Sequence, residues 1–416
     1  MENILNNDTI VLGLLMGILG FVFYTSSLKT KGWKTFYTIF PPLLVCYFAP
    51  ALLNWPLGLV DPSESQLYYV ASRYLLPACL ILLCLSIDLA SVRKLGSKAI
   101  IMFLTATLGI VIGGPIALMT VLTLFPDLIP ASPDQIWRGL STVAGSWIGG
   151  GANQVAMKEI YEVSDDLFAT MLIVDLLVGN VWLGILIFGA ERTQKIDQWL
   201  QADVSAIELL KEKVSKFRAS IERIPASRDL FILGAVAFGG VAISHFCAEL
   251  IVPFFEQFSA AIRSMRLDSV LSPFFWLVVV ATTLGLIFSF TRFKKLEGVG
   301  ASRWGTVFIY ILVTTIGMKM NLKDVFENLG LVAIGATWMI IHVTLLVVVA
   351  KVIKAPFFFV AVGSSANVGG AASAPVVAAA FDSALAPVGV LLAVLGYAIG
   401  TYGAIVCATL MGIIAT

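Results

Sequence analysis

The strongest constraint on this sequence is a succession of long apolar segments that carry almost no charge. The chain is 59% hydrophobic and 13% charged, whereas a soluble domain carries about 25% charged residues. A bilayer is crossed by about 20 apolar residues, and only helices and closed barrels satisfy the backbone there. The sequence therefore predicts an all-α, polytopic membrane protein. About twelve segments fit this length, near residues 8–24, 36–56, 66–88, 98–125, 137–158, 167–189, 229–254, 271–291, 303–320, 329–350, 356–381 and 385–414.

Two of these segments contain polar, glycine-rich stretches, at residues 145–154 and 363–375. Glycine destabilises a helix interior by about 1 kcal/mol relative to alanine, so each stretch predicts a discontinuous helix. Backbone that is freed inside a bilayer must be satisfied by protein or by a watery cavity. Such breaks in two halves of a chain are typical of a secondary transporter's binding site. The glycines expected at the breaks are Gly149, Gly150, Gly151, Gly363, Gly369 and Gly370.

The order of short matches divides the chain into two repeats. Residues 71–73 and 301–303 both read Ala-Ser-Arg, and parts of the first glycine stretch recur in the second. Between the halves lies a charged stretch with apolar positions at helical spacing, which predicts an amphipathic linker at the membrane surface. We therefore expect a first transmembrane repeat at 1–190, a polar linker at 191–228 and a second transmembrane repeat at 229–416.

The direction of the repeats does not follow from this segmentation. Inverted repeats need an odd number of crossings between equivalent helices, but six separate the two glycine stretches, which would make them parallel. Either one segment does not cross fully, or the linker contains a re-entrant piece. The segment 229–254 contains His245, Glu249 and Pro253 and is the first candidate for an incomplete crossing.

Polar side chains in the glycine stretches are the first candidates for a binding site. Half-helix N-termini there would present free N–H groups to an anionic substrate. Unwound carbonyls together with Asn and Ser oxygens would suit Na⁺. The alternative is tight helix packing, because small residues also line ordinary transmembrane interfaces. The candidate residues are Ser146, Asn153, Gln154, Ser364, Ser365, Asn367 and Ser373.

Asp175 is the next candidate, because it lies in the middle of the segment after the first glycine stretch. A carboxylate at that depth costs about 3 kcal/mol or more and indicates a functional site. It could bind Na⁺ when ionised or carry a proton, and the structural alternative is a helix-to-helix hydrogen bond with Asn180 or a nearby serine. In the second half, Thr401 takes the place of Asn180. A sodium site is expected at Asn153, Asp175, Ser365 and Asn367.

Enzyme signatures are missing from the sequence. It contains no P-loop, no HExxH or GxSxG motif and no Cys/His metal set. His245 and His342 are its two histidines, and each fits a hydrogen-bonded core residue better than a proton relay. We therefore expect no enzymatic activity and no cofactor other than a coupling ion, Na⁺ or H⁺.

Four stretches resemble the YjcL-like family of uncharacterised membrane proteins: residues 145–154, 296–303, 315–320 and 363–375. That family is grouped with the cation/proton antiporters, bile-acid sodium symporters and glutamate/sodium symporters. The resemblance implies two discontinuous helices that cross at mid-membrane, a core domain that moves against a panel domain, and a homodimer. It also implies that Asp175 occupies the position of the antiporters' ion-binding carboxylates. Because an adjacent second acid is missing, a sodium site with neutral ligands resembles the symporter branch better.

These features predict a secondary transporter that works by alternating access. The favoured hypothesis is Na⁺-coupled or H⁺-coupled symport of a small organic anion. Two alternatives remain open: a cation/proton antiporter that uses Asp175, and a non-transporting membrane receptor or assembly component. The expected surroundings are the lipid bilayer of a bacterial inner membrane, and a net charge of +1 gives no reason to expect a nucleic-acid partner.

Overall fold

A computed structural model describes residues 7–40, 42–61, 65–86, 95–125, 132–204, 207, 225–264, 268–319, 330–382 and 385–415. In these residues the regular structure is helical. The helices are α1 (Asp8–Ser27), α2 (Lys31–Ile39), α3 (Pro42–Asn54), α4 (Leu67–Leu85, with a π-helical turn at Ala71–Leu75), α5 (Ser97–Leu124), α6 (Pro133–Gly149), α7 (Gly151–Ile160), α8 (Asp165–Ala190), α9 (Thr193–Leu200), α10 (Ser227–Glu256), α11 (Ser259–Ser264), α12 (Pro273–Ser289), α13 (Ala301–Lys319), α14 (Leu331–Ile353), α15 (Phe357–Asn367), α16 (Gly370–Phe381) and α17 (Ala386–Ile414).

Eight helices of the described residues are long and apolar enough to cross a membrane by themselves. Two bent pairs raise the number to ten: α2 with α3, bent by 84°, and α12 with the 3₁₀ helix Arg292–Val299, bent by 95°. The remaining two of the twelve predicted segments, 137–158 and 356–381, are the glycine-rich ones. Each of these consists of two short helices. The described residues thus offer eight to ten candidate spans, and the predicted twelve crossings are not confirmed.

The first glycine-rich segment folds back on itself as a helical hairpin, hairpin 1, made of α6 and α7. A continuous helix would separate residues 138 and 161 by about 35 Å. Instead, Arg138 Nη1 donates a hydrogen bond of 3.1 Å to the Tyr161 carbonyl. The fold-back occurs at Gly150, whose φ of 76° and ψ of −173° form a backbone conformation that is open to glycine. The base of this hairpin thus brings the start of α6 to the end of α7.

The second glycine-rich segment forms hairpin 2 from α15 and α16 in the same way. The rings of Phe357 and Phe358 at its start lie 5.8 and 5.3 Å from the ring of Phe381 at its end. Its break is at Gly369, where φ is 102°. Both breaks therefore occur where predicted, but the helices return to the side they came from instead of crossing.

The hairpins enter the helix bundle from opposite faces. We call the face at the base of hairpin 1 face 1, and the face at the base of hairpin 2 face 2. At face 1, Asp165 at the start of α8 pairs with Lys158 at the end of hairpin 1 and with Lys319 at the end of α13. At face 2, the base of hairpin 2 contacts the end of α8, because a Cβ on Gly189 would lie 2.6 Å from the Phe357 ring. Helix α8 hence runs from face 1 to face 2. Helix α17 starts after hairpin 2 and runs the other way.

The helices pack in two groups, each of which takes members from both halves of the chain. The hairpin group contains α5, α8, α14, α17 and the two hairpins, and these elements pack mainly on one another. The flanking group contains α1, α3, α4, α10, α12 and α13. The two groups meet where α4 and α12 contact α17 and α7.

This arrangement bears on four expectations from the sequence: the incomplete crossing, the number of crossings between the hairpins, the role of Gly363 and the polar linker. The segment 229–254 was the first candidate for an incomplete crossing, but it belongs to the 30-residue helix α10. In the described residues, four helices that can each span a membrane (α8, α10, α13 and α14) and the bent pair that begins with α12 lie between the two hairpins. Gly363 is helical, not at a break: a Cβ there would lie 3.1 Å from the α5 backbone, so its small size permits close packing. The linker is helical at Thr193–Leu200, and its residues 205–206 and 208–224 lie outside the described part.

Candidate functional site

Asp175 of α8 joins both arms of hairpin 1. Its Oδ2 accepts hydrogen bonds from Ser146 Oγ at 2.6 Å and from Gln154 Nε2 at 3.1 Å. Its Oδ1 accepts a hydrogen bond of 2.7 Å from Trp147 Nε1. Three side-chain donors, two from α6 and one from α7, therefore converge on one carboxylate. The hydrogen bond to a nearby serine, which the sequence analysis gave as the structural alternative to an ion site, is thus present, together with bonds from Trp147 and Gln154.

Gln154 brings an unused acceptor to the same cluster. Its side chain is fully buried, and Oε1 has no hydrogen-bond partner among the described residues. A buried polar atom without a partner costs about 1–3 kcal/mol, so such an atom needs an explanation. Next to a carboxylate and a hydroxyl, an unused amide oxygen is one of the neutral oxygen ligands that a hard cation prefers.

Asn153 fixes the tip of hairpin 1 against α17 and the flanking group. Its Nδ2 donates a hydrogen bond of 2.9 Å to the Gly149 carbonyl, and its Oδ1 accepts one of 2.6 Å from Thr401 Oγ1. The Thr401 hydroxyl also lies 3.2 Å from Thr282 Oγ1 of α12. The predicted residues Asn153 and Thr401 are therefore direct neighbours.

Asn367 has a similar role in hairpin 2. Its Oδ1 accepts a hydrogen bond of 2.8 Å from Thr107 Oγ1 of α5. Its Nδ2 donates to the Gly363 carbonyl at 3.0 Å and to the Phe103 carbonyl at 3.3 Å. In both hairpins, then, an asparagine donates to the carbonyl four residues earlier and accepts from a threonine of a spanning helix.

Ser364 is the centre of a second buried polar cluster. Its Oγ accepts a hydrogen bond of 2.8 Å from Trp182 Nε1 of α8 and lies 2.8 Å from His342 Nε2 of α14. Ser364 and His342 are both fully buried. The cluster shows that α8 binds both hairpins, since it contributes Asp175 to hairpin 1 and Trp182 to hairpin 2. His342 thus has the hydrogen-bonded core position expected from the sequence.

The remaining predicted residues are spread around the breaks. Ser365 is buried and donates to the Val362 carbonyl of its own helix. Ser373 lies beside the second break, because a Cβ on Gly369 would be 2.5 Å from its Oγ. Asn180 is exposed on α8, so its predicted place at the site is wrong. It lies five residues after Asp175, which places it on another face of the helix.

The tips of the hairpins converge on a small-residue surface of α17. A Cβ on Gly396 would lie 3.0 Å from the Ile148 carbonyl of hairpin 1 and 3.2 Å from the Ala366 carbonyl of hairpin 2. The tips also approach each other, because a Cβ on Gly370 would lie 3.9 Å from Gly150 Cα. Glycine at these positions therefore permits a close meeting of three backbones.

The four predicted sodium ligands do not share one set of direct contacts. Asp175 contacts hairpin 1 through Ser146 and Gln154, whereas the amide oxygens of Asn153 and Asn367 are each occupied by a threonine. In the described residues, groups of three or more His, Cys, Asp or Glu that could hold a metal are absent. The Asp175–Gln154–Ser146 cluster is accordingly the cation candidate that combines a carboxylate with an unused oxygen.

Sequence reasoning missed Trp147, Trp182 and Thr107. The missing signal was available in part, because a tryptophan N–H that is buried in an apolar segment needs a hydrogen-bond acceptor. The sequence alone could therefore have paired Trp147, which lies in the first glycine stretch, with Asp175 in the next segment. The partner of Thr107 depends on tertiary packing, which local spacing does not encode.

Comparisons with known proteins agree with the membrane assignment. The protein named "Uncharacterized membrane protein YjcL" from Bacillus subtilis (strain 168) is 24% identical over 354 residues, which cover 82% of this chain and 83% of that protein. The expected similarity to YjcL is confirmed, and the placement in the antiporter and symporter superfamily stays a prediction. A family model described as "Protein of unknown function (DUF819)" matches residues 13–413. With its apolar helices, the chain is an integral, multi-pass membrane protein, and it belongs to the DUF819 family.

Proposed function

We propose that this protein is a cation-coupled secondary transporter that works by alternating access. The observation that carries the proposal is the fully buried Gln154 Oε1, which lacks a partner among the described residues and belongs to the side chain that binds Asp175. The Asp175 carboxylate, the Ser146 hydroxyl and this amide oxygen would bind the coupling ion. Na⁺ is favoured, because it is a hard cation that accepts neutral oxygen ligands beside one carboxylate.

The opposite directions of the two hairpins support alternating access. The first half has the order α5, hairpin 1, α8, and the second half has the matching order α14, hairpin 2, α17. The base of hairpin 1 lies at face 1, whereas the base of hairpin 2 lies at face 2. We infer an inverted repeat, in which the hairpin group is the moving domain and the flanking group is the stationary one. In transporters with inverted repeats, alternating access is largely a rigid-body rocking of one such group against the other around a fixed site.

The cargo that fits the tips best is a small organic anion. The N-termini of α7 and α16 both start at the tips, near the point where Gly150 and Gly370 approach each other. Positive ends of two helix dipoles there would favour negative charge. The cation would then neutralise part of the charge of its co-substrate inside the membrane.

The test is the thermal stability of the purified protein in NaCl and in choline chloride of equal ionic strength, at several pH values. A ligand that binds the folded state raises its stability, by about 2.7 kcal/mol at about 100 times its Kd. We expect a sodium-specific, concentration-dependent rise in the apparent Tm of the wild type. The rise should be lost in Asp175→Asn and in Gln154→Leu.

Asp166→Asn is the matched control for charge. Asp166 is an exposed acid on the same helix, so its neutralisation should leave the sodium response unchanged. A sodium response that persists in Asp175→Asn would contradict the assigned site. An equal rise in choline would contradict a specific cation.

A second candidate, a cation/proton antiporter, is favoured by Asp175 itself, because a single membrane-embedded carboxylate can exchange a proton for a cation. In that case the apparent Tm should depend on pH without sodium, and Asp175→Asn should abolish this dependence. The symporter predicts instead that organic anions raise Tm further, in sodium only.

A further inference from the structure

Five charged residues form a cluster at face 1, at the base of hairpin 1. Arg73 Nη1 lies 2.9 Å from Glu159 Oε2, and Lys158 Nζ lies 2.9 Å from Asp165 Oδ1. Lys319 Nζ lies 3.2 Å from Asp165 Oδ2. Their side chains are between 6% and 30% exposed, so bulk water screens these pairs less than it screens pairs on an open surface. We call these five residues the face-1 ion cluster.

The cluster connects the two helix groups. Arg73 and Lys319 belong to α4 and α13 of the flanking group, whereas Glu159 and Asp165 belong to hairpin 1 and α8. The Tyr68 ring of α4 adds contacts to both lysines: its hydroxyl lies 3.2 Å from Lys158 Nζ, and its centroid lies 4.3 Å from Lys319 Nζ. Two ion pairs therefore have to break before hairpin 1 and α8 can move together away from α4 and α13.

Arg73 is also held from the flanking side. Its guanidinium carbon lies 4.2 Å above the ring of Phe274 in α12. Its carbonyl lies 3.0 Å from His245 Nε2 of α10. A side chain that is fixed on one side and paired on the other loses little conformational entropy on pairing. It is thus a preformed receptor for the Glu159 carboxylate.

Among the described residues, the Phe357 N–H donates a hydrogen bond of 2.7 Å to Asp197 Oδ1 of α9, which ties α9 to the base of hairpin 2 at face 2. This base is built from different side chains than the base of hairpin 1. It consists of the three packed rings of Phe357, Phe358 and Phe381, and after Lys354 the sequence contains one charged residue, Asp382. The repeats therefore differ in how each hairpin is held. Ring packing and a hydrogen bond to Asp197 of α9 hold the base of hairpin 2, whereas charge pairs join the base of hairpin 1 to the flanking group.

We propose that the face-1 ion cluster is a latch: it locks hairpin 1 against the flanking group, and its release opens the interface between the groups at face 1. The role of this opening as one half of alternating access rests on the proposed transport function. The latch makes the conformation closed at face 1 depend on two cross-group pairs, Arg73–Glu159 and Lys319–Asp165. A swap of both members restores one pair of opposite charges, so it should recover much of the lock, less the Arg73–Phe274 contact and the Lys158–Glu159 pair that it removes.

A cysteine on the protected face of α7 tests the latch. Val155 is fully buried, one turn before Glu159 and on the same face of the helix. In the variant Val155→Cys, a maleimide should react at position 155 only when the groups separate, and peptide mass spectrometry measures the rate there. Reversal of one charge, Glu159→Arg or Arg73→Glu, should raise this rate about tenfold or more, because it sets like charges against each other.

The double variant Arg73→Glu/Glu159→Arg should return the rate to within about threefold of the Val155→Cys parent. The control is Asp134→Arg, which reverses one charge of the exposed pair Arg138–Asp134, whose side chains are 37% and 62% exposed. That change should leave the rate within about twofold of the parent, because exposed pairs contribute little. Size-exclusion profiles would show that each variant is folded.

Two results would overturn the latch. One is an unchanged labelling rate in folded Glu159→Arg and Arg73→Glu. The other is a double variant that reacts as fast as the single ones, since damage to local packing would then explain the effect. The assay uses neither sodium nor a substrate, so a missing sodium response would count against the transport proposal and leave the latch result as it stands.

Discussion

Hairpin 1 and hairpin 2 have the same construction but different chemistry. Each breaks at a glycine with positive φ, and each is fixed by an asparagine that a threonine binds. Hairpin 1 adds the Asp175 carboxylate with an unused amide oxygen, and its base carries the face-1 ion cluster. Hairpin 2 has Ser364, which His342 of α14 contacts, and three phenylalanines at its base.

This difference in chemistry indicates that the two hairpins have different roles. The half-buried Asp175 carboxylate is accompanied by an unused amide oxygen, Gln154 Oε1, and two such oxygens can bind a cation. In the second cluster Ser364 is bound by two neighbours, and the buried atom without a described partner is a ring nitrogen, His342 Nδ1. Hairpin 1 is thus the hairpin that should respond to a cation. Hairpin 2 should act as a packing element that places its tip beside the same site.

The largest effect is expected where the tip of hairpin 1 meets α17. A Cβ on Gly149 would lie 2.7 Å from Gly400 Cα and 2.2 Å from Asn153 Nδ2, whereas one on Gly151 would meet nothing within 4 Å. Gly149→Ala should destabilise the protein by about 3 kcal/mol or more, because the backbone of α17 has to move. Gly151→Ala should be close to neutral. Apparent Tm and the yield of monodisperse protein measure both, and equal losses would contradict the close approach.

The next effect compares the two polar clusters. Asp175→Ala leaves three donors without an acceptor, and Ser364→Ala leaves Trp182 Nε1 and His342 Nε2 without their partner. At about 1–3 kcal/mol for each buried group, both variants should lower Tm, and Asp175→Ala should lower it more. Loss of the sodium response should occur in Asp175→Ala only.

A sodium response that is abolished equally by Ser364→Ala would remove the distinction between the hairpins. The conservative variant Ser364→Thr serves as the control, because it keeps the hydroxyl. It should retain the hydrogen bonds to Trp182 and His342 and most of the stability.

The positions of the helices and of both breaks could be predicted from the sequence. Apolar length identifies spanning helices, and clustered glycines destabilise a helix locally wherever they occur. The return of each hairpin could not be predicted in this way. A broken crossing and a hairpin have the same composition, and they differ in the contact between distant residues such as Arg138 and Tyr161.

The candidate site was predictable in its residue types but not in its grouping. Asp175 was identified because a lone acid is costly in a membrane, and it is indeed beside Ser146. Asn180 was placed with it by proximity in sequence, but the rotation of a helix over five residues takes it to an exposed face. The face-1 ion cluster was missed for a similar reason, because Arg73 and Lys319 come from segment ends far from residues 158–165 in the chain.

The smallest predicted effect concerns the two asparagine anchors and tests what the hairpins share. Thr401→Val and Thr107→Val keep the side-chain shape, but leave Asn153 Oδ1 and Asn367 Oδ1 without their donors. Each change should cost about 1–3 kcal/mol, with Thr401→Val the larger because it also loses the contact with Thr282. Thr→Ser at either position should restore most of the stability, since it keeps the hydroxyl. A loss in Thr401→Val with none in Thr107→Val would show that hairpin 1 alone depends on its anchor, which would extend the asymmetry of the hairpins to their tips.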